Sequence, residues 1–390
     1  MPKAANTPLS CIFALNKPTG QPSMTLLNKL QPLFSSSSLF KDPSAANDQP
    51  KKGGRRGKWK QERVKMGQGG TLDPLADGVL VIGTNGATKQ LSQFLDCTKS
   101  YRAIALLGCS TDSYDSDGKI VKQDSRAHWD DITKEAVLEK LENFRGEIEQ
   151  TPPVFSALKM DGKPLYEYAR SNTPLPRPIP SRKVTVSAID LVSFTSGADR
   201  TDAYEFPKEK LGEAERVEIE RLERMVKTGQ TTLPSTEEVV GKDDGGEAKT
   251  DAPAAVEPET EVVPGEGSGA ASRPPIFEIS LTVSSGTYIR SVIHDLGIAL
   301  GSCAHVVKLT RTRQGQFSLD PAADEAAAKE GKALKGCVEW TLLERAIERQ
   351  DKVKKGSEEV KAELDKEREA EGSDGYLEWE RAILNACETV

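Results

Sequence analysis

Only three histidines occur among the 390 residues, and the six cysteines (Cys11, Cys97, Cys109, Cys303, Cys337 and Cys387) form no C-x-x-C pair. Scattered thiols argue against both a zinc site and a disulfide framework, and they suit a reducing compartment. With so few imidazoles as well, no metal and no cofactor are expected. No apolar run approaches the roughly 18 residues that span a bilayer, and no signal-peptide h-region opens the chain. The expectation is a soluble intracellular protein with no membrane partner. Hydrophobic residues make up 36% and charged residues 29%, more polar than one compact domain of this length. Part of the chain is therefore expected to stay unpacked.

The formal charge of −7 seems wrong for a nucleic-acid binder until it is divided along the chain. Residues 1–194 and 273–320 carry 32 Lys and Arg against 23 Asp and Glu, whereas 195–272 and 321–390 carry 21 against 37. A basic body with acidic appendages is expected where the body meets phosphate, although acidic linkers also solvate themselves.

Cys11–Leu15 is a short apolar strand ending in the turn Asn16-Lys17-Pro18-Thr19-Gly20, and residues 22–33 fit one short helix. The stretch 35–65, rich in Ser, Gly and basic residues, reads as a disordered loop. Gly78–Gly83 is a buried strand, 87–95 a helix and Ser100–Leu107 an alternating strand; Thr133–Phe144 has helical spacing and Val184–Phe194 alternates again. Residues 195–272 change character: a charged helix fits near 209–227, and the Pro/Gly/Glu-rich remainder has too few apolar residues to fold. Ile276–Val283 resumes as a strand, so the acidic segment interrupts one sheet instead of separating two domains. Residues 287–300 put Ile289, Val292, Ile293, Leu296 and Leu300 on one helical face. Beyond 320 amphipathic helices fit near 339–350 and 375–387. Strands and helices mix without βαβ alternation, which gives an α+β class. The division is a tail over 1–10, a body over 11–320 interrupted at 35–65 and 195–272, and a charged helical tail over 321–390.

The most informative segment is Gly67-Gln68-Gly69-Gly70-Thr71-Leu72-Asp73-Pro74-Leu75-Ala76-Asp77-Gly78. The three closely spaced glycines Gly67, Gly69 and Gly70 permit close backbone approaches, and Pro74 keeps Asp73 out of the helical region. A carboxylate on a stiff turn that feeds a buried strand suits covalent or acid/base chemistry. A lone L-D-P would be an ordinary turn; its surroundings decide.

Those surroundings resemble the signature loop of TruB-type pseudouridine synthases. Four further segments match in order: Asn16–Gly20; Lys99-Ser100-Tyr101-Arg102 with Leu107–Asp112 and Asp115–Gly118; Gln150–Lys159 with Gly162–Arg170; and Ser284–Ser291. Together they run from about residue 11 to 320. The resemblance implies the pseudouridine synthase fold, with a central mixed, mostly antiparallel sheet flanked by helices. It implies Asp73 as catalytic carboxylate, adding to the ribose or to the base while the glycosidic bond is remade to carbon. Arg290 would pair with Asp73 and favour its ionised form. Tyr101 would stack on the target base, with Tyr288 and Leu309 lining the same pocket, although each also suits an ordinary core position. Gln68 replaces the histidine of the bacterial pattern and bears on substrate preference; its amide still donates and accepts.

The target uridine must be extruded from a folded RNA, at a cost of a few kcal/mol offset by stacking and hydrogen bonds. Phosphate contacts are expected from Lys17, Lys159, Lys163, Arg170, Arg182, Lys183 and Arg311. The run Lys51–Lys60 fits an RNA grip, a nuclear import signal or a plain loop. The whole pattern resembles the stand-alone eukaryotic, fungal form acting on uridine 55 in the TΨC stem-loop of tRNA, with mRNA as a further substrate. It implies a monomer in the nucleus or mitochondrion, though Lys3 is the only charge before the first strand, which weighs against a transit peptide. The alternatives are a guide-RNA-dependent rRNA enzyme, for which 321–390 is too charged to supply the usual RNA-binding domain, and a non-catalytic tRNA chaperone.

Deleting about residues 230–270 is expected to leave activity nearly intact, because the segment has no core to contribute. A variant that fails to fold, by circular dichroism and thermal melting, would refute this.

Overall fold

The computed structural model describes residues 8–41, 63–171, 173, 175–213, 215–217, 219, 273–324, 333–369 and 374–389. Eight strands form one continuous path. In chain order they are β1 (Cys11–Lys17), β2 (Asp77–Thr84), β3 (Lys99–Leu107), β4 (Gly146–Gln150), β5 (Arg182–Thr195), β6 (Ile276–Val283), β7 (Ala304–Gln314) and β8 (Cys337–Glu339). Their spatial order is β8-β1-β2-β7-β3-β6-β5-β4, and three short strands (Met66–Gln68, Phe317–Ser318 and Glu388–Thr389) complete an 11-stranded sheet. β1 with β8 and β2 with β7 are parallel, and the other neighbours on the path are antiparallel. The sheet is thus mixed and mostly antiparallel, within an α+β fold.

Period-two alternation assigns the two faces. In β1, Cys11, Phe13 and Leu15 enter the main core, while Ile12 and Ala14 join a smaller one with Val79, Val81, Leu91, Phe94 and Phe317. In β2, Leu80 and Ile82 go one way and Val79 and Val81 the other. Both faces are covered there, so these strands read as near-continuous apolar runs. The main core also takes the apolar faces of α1 (Ser23–Ser36), α2 (Lys134–Leu141) and α3 (Ile289–Ala299). Thr133 caps α2 by accepting from the Ala136 N–H. A satellite core of Val154, Met160, Leu165, Tyr168 and Ile179 holds the block around the small ribbon Lys159–Met160/Lys163–Pro164.

Four expectations need correction. The loop expected over 35–65 starts later: α1 continues past Pro32 to Ser36, and Leu39 and Phe40 are buried. Residues 42–62 lie outside the described residues. The helix expected over 87–95 is a 3-10 turn, Asn85–Gln90, followed by a separate helix Ser92–Asp96.

The acidic insertion packs well beyond residue 195. Arg200 is buried and donates to the Pro274 carbonyl, and Phe206 packs edge-on against Trp129. The Glu209 carbonyl accepts from Ile120 N–H, and Leu211 N–H returns to the Ile120 carbonyl. Composition averaged over 195–272 hid these few apolar anchors. Most of the helix expected near 209–227, and all of 220–272, lies outside the described residues.

The segment beyond 320 is woven into the sheet instead of trailing from it. β8 pairs with β1, and Glu388–Thr389 pairs with its start. Three helices follow β8: α4 (Trp340–Lys354), α5 (Glu358–Glu369) and α6 (Glu378–Ala386). Trp340, Leu343, Trp379 and Ile383 are buried in the main core, with the Trp379 ring 5.3 Å from that of Phe34. High charge density masks the stripe, because the polar faces of these helices are long. α5 falls between the two helices expected in this segment, docked through Leu364 and an Arg349–Glu367 bond of 3.1 Å. Among the described residues, no helix is long and apolar enough to cross a membrane.

Trp379→Ala is expected to cost about 3–5 kcal/mol, as for other large core truncations. Urea unfolding measures this, and a change below about 1 kcal/mol would contradict the integration of the C-terminal segment.

Candidate active site

The Asp73 loop is gripped through its backbone. The carbonyls of Gly69, Gly70, Thr71, Leu72, Pro74, Leu75 and Ala76 all accept hydrogen bonds from elsewhere in the chain. From the N-terminal side, Lys17 Nζ donates to Pro74 at 3.2 Å and Ala76 at 2.5 Å, Thr19 to Leu75 at 2.6 Å, and Gly20 N–H to Pro74 at 2.8 Å. The Ser23 hydroxyl, at the start of α1, donates to the Leu72 carbonyl and accepts from the Leu72 N–H, both at 3.0 Å. From the end of β7, Arg311 donates to Gly70 at 3.0 Å and Val79 at 2.7 Å, and Gln314 to Gly69 at 2.6 Å. Gly78 sits at φ +99°, and a Cβ there would lie 2.3 Å from the Arg311 carbonyl oxygen. Glycine is required at that crossing.

Two expected phosphate contacts are therefore structural. Lys17 is 0% exposed and Arg311 1% exposed, and both spend their donors on loop carbonyls. Burial pushes the Lys17 ammonium down to about 8, against the opposing pull of Asp77 and Asp73. Sequence reading missed this because a lysine beside a turn looks the same whether its stem runs outward or inward.

Arg290, second in α3, joins the loop to the rest of the site. Its Nε donates to Asp73 Oδ2 at 2.8 Å, its Nη2 to the Phe155 carbonyl at 3.0 Å, and its Nη1 to the Ser113 carbonyl. Asp115 Oδ2 lies 3.6 Å from Nη1. The Arg290 side chain is 4% exposed and that of Asp73 35%. A sealed cation thus holds a carboxylate that stays open to a ligand. A charge-assisted bond of this kind is stronger and more directional than a neutral one.

Asp115 is a site residue to which the sequence assigned no role. It accepts from Ser113 Oγ at 2.6 Å and from the Asp117 N–H at 3.1 Å. Burial raises its carboxyl to about 6, with Arg290 pulling the other way. Gln150, also unforeseen, is buried and clamps the backbone of Tyr288: its Nε2 donates to the carbonyl at 2.9 Å, and its Oε1 accepts from the N–H at 2.7 Å. Its place at the head of the block Gln150–Lys159 was the available signal.

The other expected residues fall into two groups. Tyr101 on β3 and Leu309 on β7 are buried at 8% and 4% exposure, in the same apolar cluster as Leu72 of the loop. Tyr288 is half-buried at the start of α3. Gln68 Nε2 donates to Thr71 Oγ1 at 3.0 Å and closes the loop on itself. Lys159 is exposed on the satellite ribbon, and among the described residues no hydrogen bond or ion pair joins it to Asp73 or Arg290. Lys183 is an exposed partner of Glu147 at 2.8 Å, whereas Arg182 lies over the Tyr288 ring. The Arg170 side chain is outside the described residues. Among those described, no three His, Cys, Asp or Glu side chains gather into a metal site.

Comparison with known proteins places the chain among characterised relatives. Residues 56–205 match the model of the TruB family pseudouridylate synthase N-terminal domain. The chain is 41% identical over 332 residues to tRNA pseudouridine synthase 4 of Schizosaccharomyces pombe, covering 79% of each. Against tRNA pseudouridine synthase 4 of Saccharomyces cerevisiae the identity is 39%, over 79% of this chain and 78% of that protein. Against human pseudouridylate synthase TRUB1 it is 30%, over 81% and 64%.

Two outcomes follow from the geometry. Lys17→Met strands buried carbonyls and is expected to cost about 3 kcal/mol in urea unfolding; unchanged stability would refute the clamp. Asp115, raised from 3.8 to about 6, favours the protonated fold. Its contribution is complete below about pH 4 and is lost as pH rises through about 6. The stability difference between wild type and Asp115→Asn should therefore change by on the order of 3 kcal/mol across that window, and a flat difference would rule it out.

Proposed function

This chain belongs to the TruB family of pseudouridylate synthases, and from that premise we propose that it isomerises a uridine of tRNA, at position 55 in the TΨC loop, with Asp73 as the catalytic carboxylate. The observation that carries the reading is the 2.8 Å bond between Arg290 Nε and Asp73 Oδ2. It unites the two sequence motifs that the chemistry needs, which lie 217 residues apart.

Pseudouridine formation breaks the bond from ribose C1′ to N1 of the base and joins C1′ to C5 after the base turns, with the C5 proton lost and N1 taking one up. The chain must therefore present one carboxylate, hold the detached base and keep it from leaving. Asp73 is the partly open carboxylate, fixed on a loop whose carbonyls are already satisfied. Fixing it in advance spares reorganisation during the reaction. Arg290 orients it and is sealed from solvent, so its donors are not diverted to water. Tyr101 and Leu309 offer aromatic and aliphatic surface to an extruded base, which offsets part of the unstacking cost. Phosphate contacts fall to exposed groups such as Lys159 and Lys183, and binding is expected to weaken with salt. The substrate assignment is supported by the two yeast relatives, both named as tRNA pseudouridine synthases.

The test is modified-nucleoside analysis of a TΨC stem-loop treated with wild type and with Asp73→Asn. Wild type is expected to convert the uridine at position 55. Asp73→Asn should abolish conversion while keeping RNA affinity within about several-fold, because the amide preserves shape. Binding without conversion by the wild type would instead indicate an RNA chaperone, and conversion by Asp73→Asn would remove Asp73 from the mechanism.

A further inference from the structure

Tyr288 is held from two sides by neighbours in one strand pair. Gln150 on β4 and Arg182 on β5 are directly opposite in the antiparallel register. Gln150 takes the Tyr288 backbone through both its N–H and its carbonyl. Arg182 takes the ring: its guanidinium carbon lies 5.0 Å from the ring centroid. The same guanidinium donates through Nη2 to the Gly286 carbonyl, two residues before Tyr288. Gly286 has φ +79°, and a Cβ there would sit 3.2 Å from the guanidinium carbon. The turn is thus shaped to let the arginine plane lie against it. Arg182 Nε is buried and has no hydrogen-bond partner, so the side chain is placed by stacking and by its single carbonyl bond.

Tyr288 is in turn two residues before Arg290, which holds Asp73. Tyr288 is the N-cap of the helix that orients the carboxylate, so a shift of Tyr288 falls at the end of the helix that carries Arg290. We infer that Arg182 is a positioning residue of the reaction: by stacking on Tyr288 it fixes the ring as a preset wall for the extruded base. This rests on the reading of the site as a pseudouridine synthase centre. It differs from a phosphate role, in which any cation at this position would serve. A planar guanidinium stacks on an aromatic face, whereas an ammonium is a point charge that does so less well.

The experiment uses the full chain and a TΨC stem-loop under single-turnover and steady-state conditions. Pseudouridine formation by wild type is established first, so that failure of the functional reading shows there and not in the variants. Arg182→Lys is expected to lower kcat about ten-fold with KM within about two-fold, a loss the size of one cation–π contact. Arg182→Gln should behave the same way. Tyr288→Leu should lower kcat comparably, and adding Arg182→Lys to it should cause no further loss. In carbon-13-labelled tyrosine spectra, ring flipping of Tyr288 should speed up in both Arg182 variants. Wild-type kcat in Arg182→Lys, or a raised KM that salt abolishes with kcat intact, would overturn the proposal in favour of a charge contact. Multiplying losses in the double variant would overturn it as well. Matching thermal melts for Arg182→Gln separate positioning from general unfolding, and if Arg182→Lys melts early the Gln variant decides.

Discussion

A single buried guanidinium governs the geometry of the site. Arg290 carries a charge that cannot be given up, and burying it is tolerable only if its five N–H donors find acceptors. The acceptors come from separate stretches of chain: Asp73 on the glycine loop, the Ser113 carbonyl with Asp115 behind it, and the Phe155 carbonyl in the middle block. Each stretch must reach its place for the charge to be compensated, so assembly of the site and folding of the core are one requirement. The two carboxylates are treated differently. Asp115 is enclosed and pushed up to about 6 by burial, while Asp73 keeps about a third of its side chain open. Enclosure suits the partner that steadies the arginine, and openness leaves the Asp73 carboxylate accessible from solvent.

A carboxylate held only by its side chain would still wander with its loop. Here the loop is fixed by donors from both ends of the fold, Lys17, Thr19, Gly20 and Ser23 on one side and Arg311 and Gln314 on the other. Buried carbonyls without partners cost free energy, so a loop rich in glycine becomes rigid once each is occupied. The N-terminal turn and the end of β7 flank β2, the strand into which the loop feeds. The strand order that places β2 between β1 and β7 is what brings both clamps to the same place.

Much of this was legible in the sequence, and the unread part has physical causes. Alternating strands such as Ser100–Leu107 and Ile276–Val283, and the helix carrying Ile289 to Leu296, came through because one face of each is apolar. The Asp73–Arg290 pairing followed from motif resemblance, and the geometry bears out that they meet. Direction is what a sequence conceals. Lys17 and Arg311 read as cations for phosphate because charge is visible and burial is not; inside, they satisfy carbonyls. Asp115 passed without a role because an aspartate in a D-x-D-G turn is common, and only packing tells which oxygen faces an arginine. The C-terminal helices were read as a tail because Glu and Lys outnumber the few residues, Trp340, Leu343, Trp379 and Ile383, that bury them.

The long interruption between β5 and β6 raises the question of how Arg290 stays in register with Asp73. Closing a loop costs free energy that grows only with the logarithm of its length, so the added residues are cheap provided the stem is fixed. The stem is fixed twice. Thr195 pairs with Ile276, and the ladder continues to Val186 opposite Val283. Beyond the ladder Arg200 donates to the Pro274 carbonyl, while Arg273 reaches back to the carbonyls of Asp202 and Tyr204. These crossed arginine bonds tie the first residues of the insertion to the returning segment just before β6. A shift of β6, and through the following turn of the helix that carries Arg290, therefore has to break a two-arginine stem and then a ladder. The chain can accept an acidic segment there at little cost to the site because the sheet, and not the connection, sets the position of the arginine.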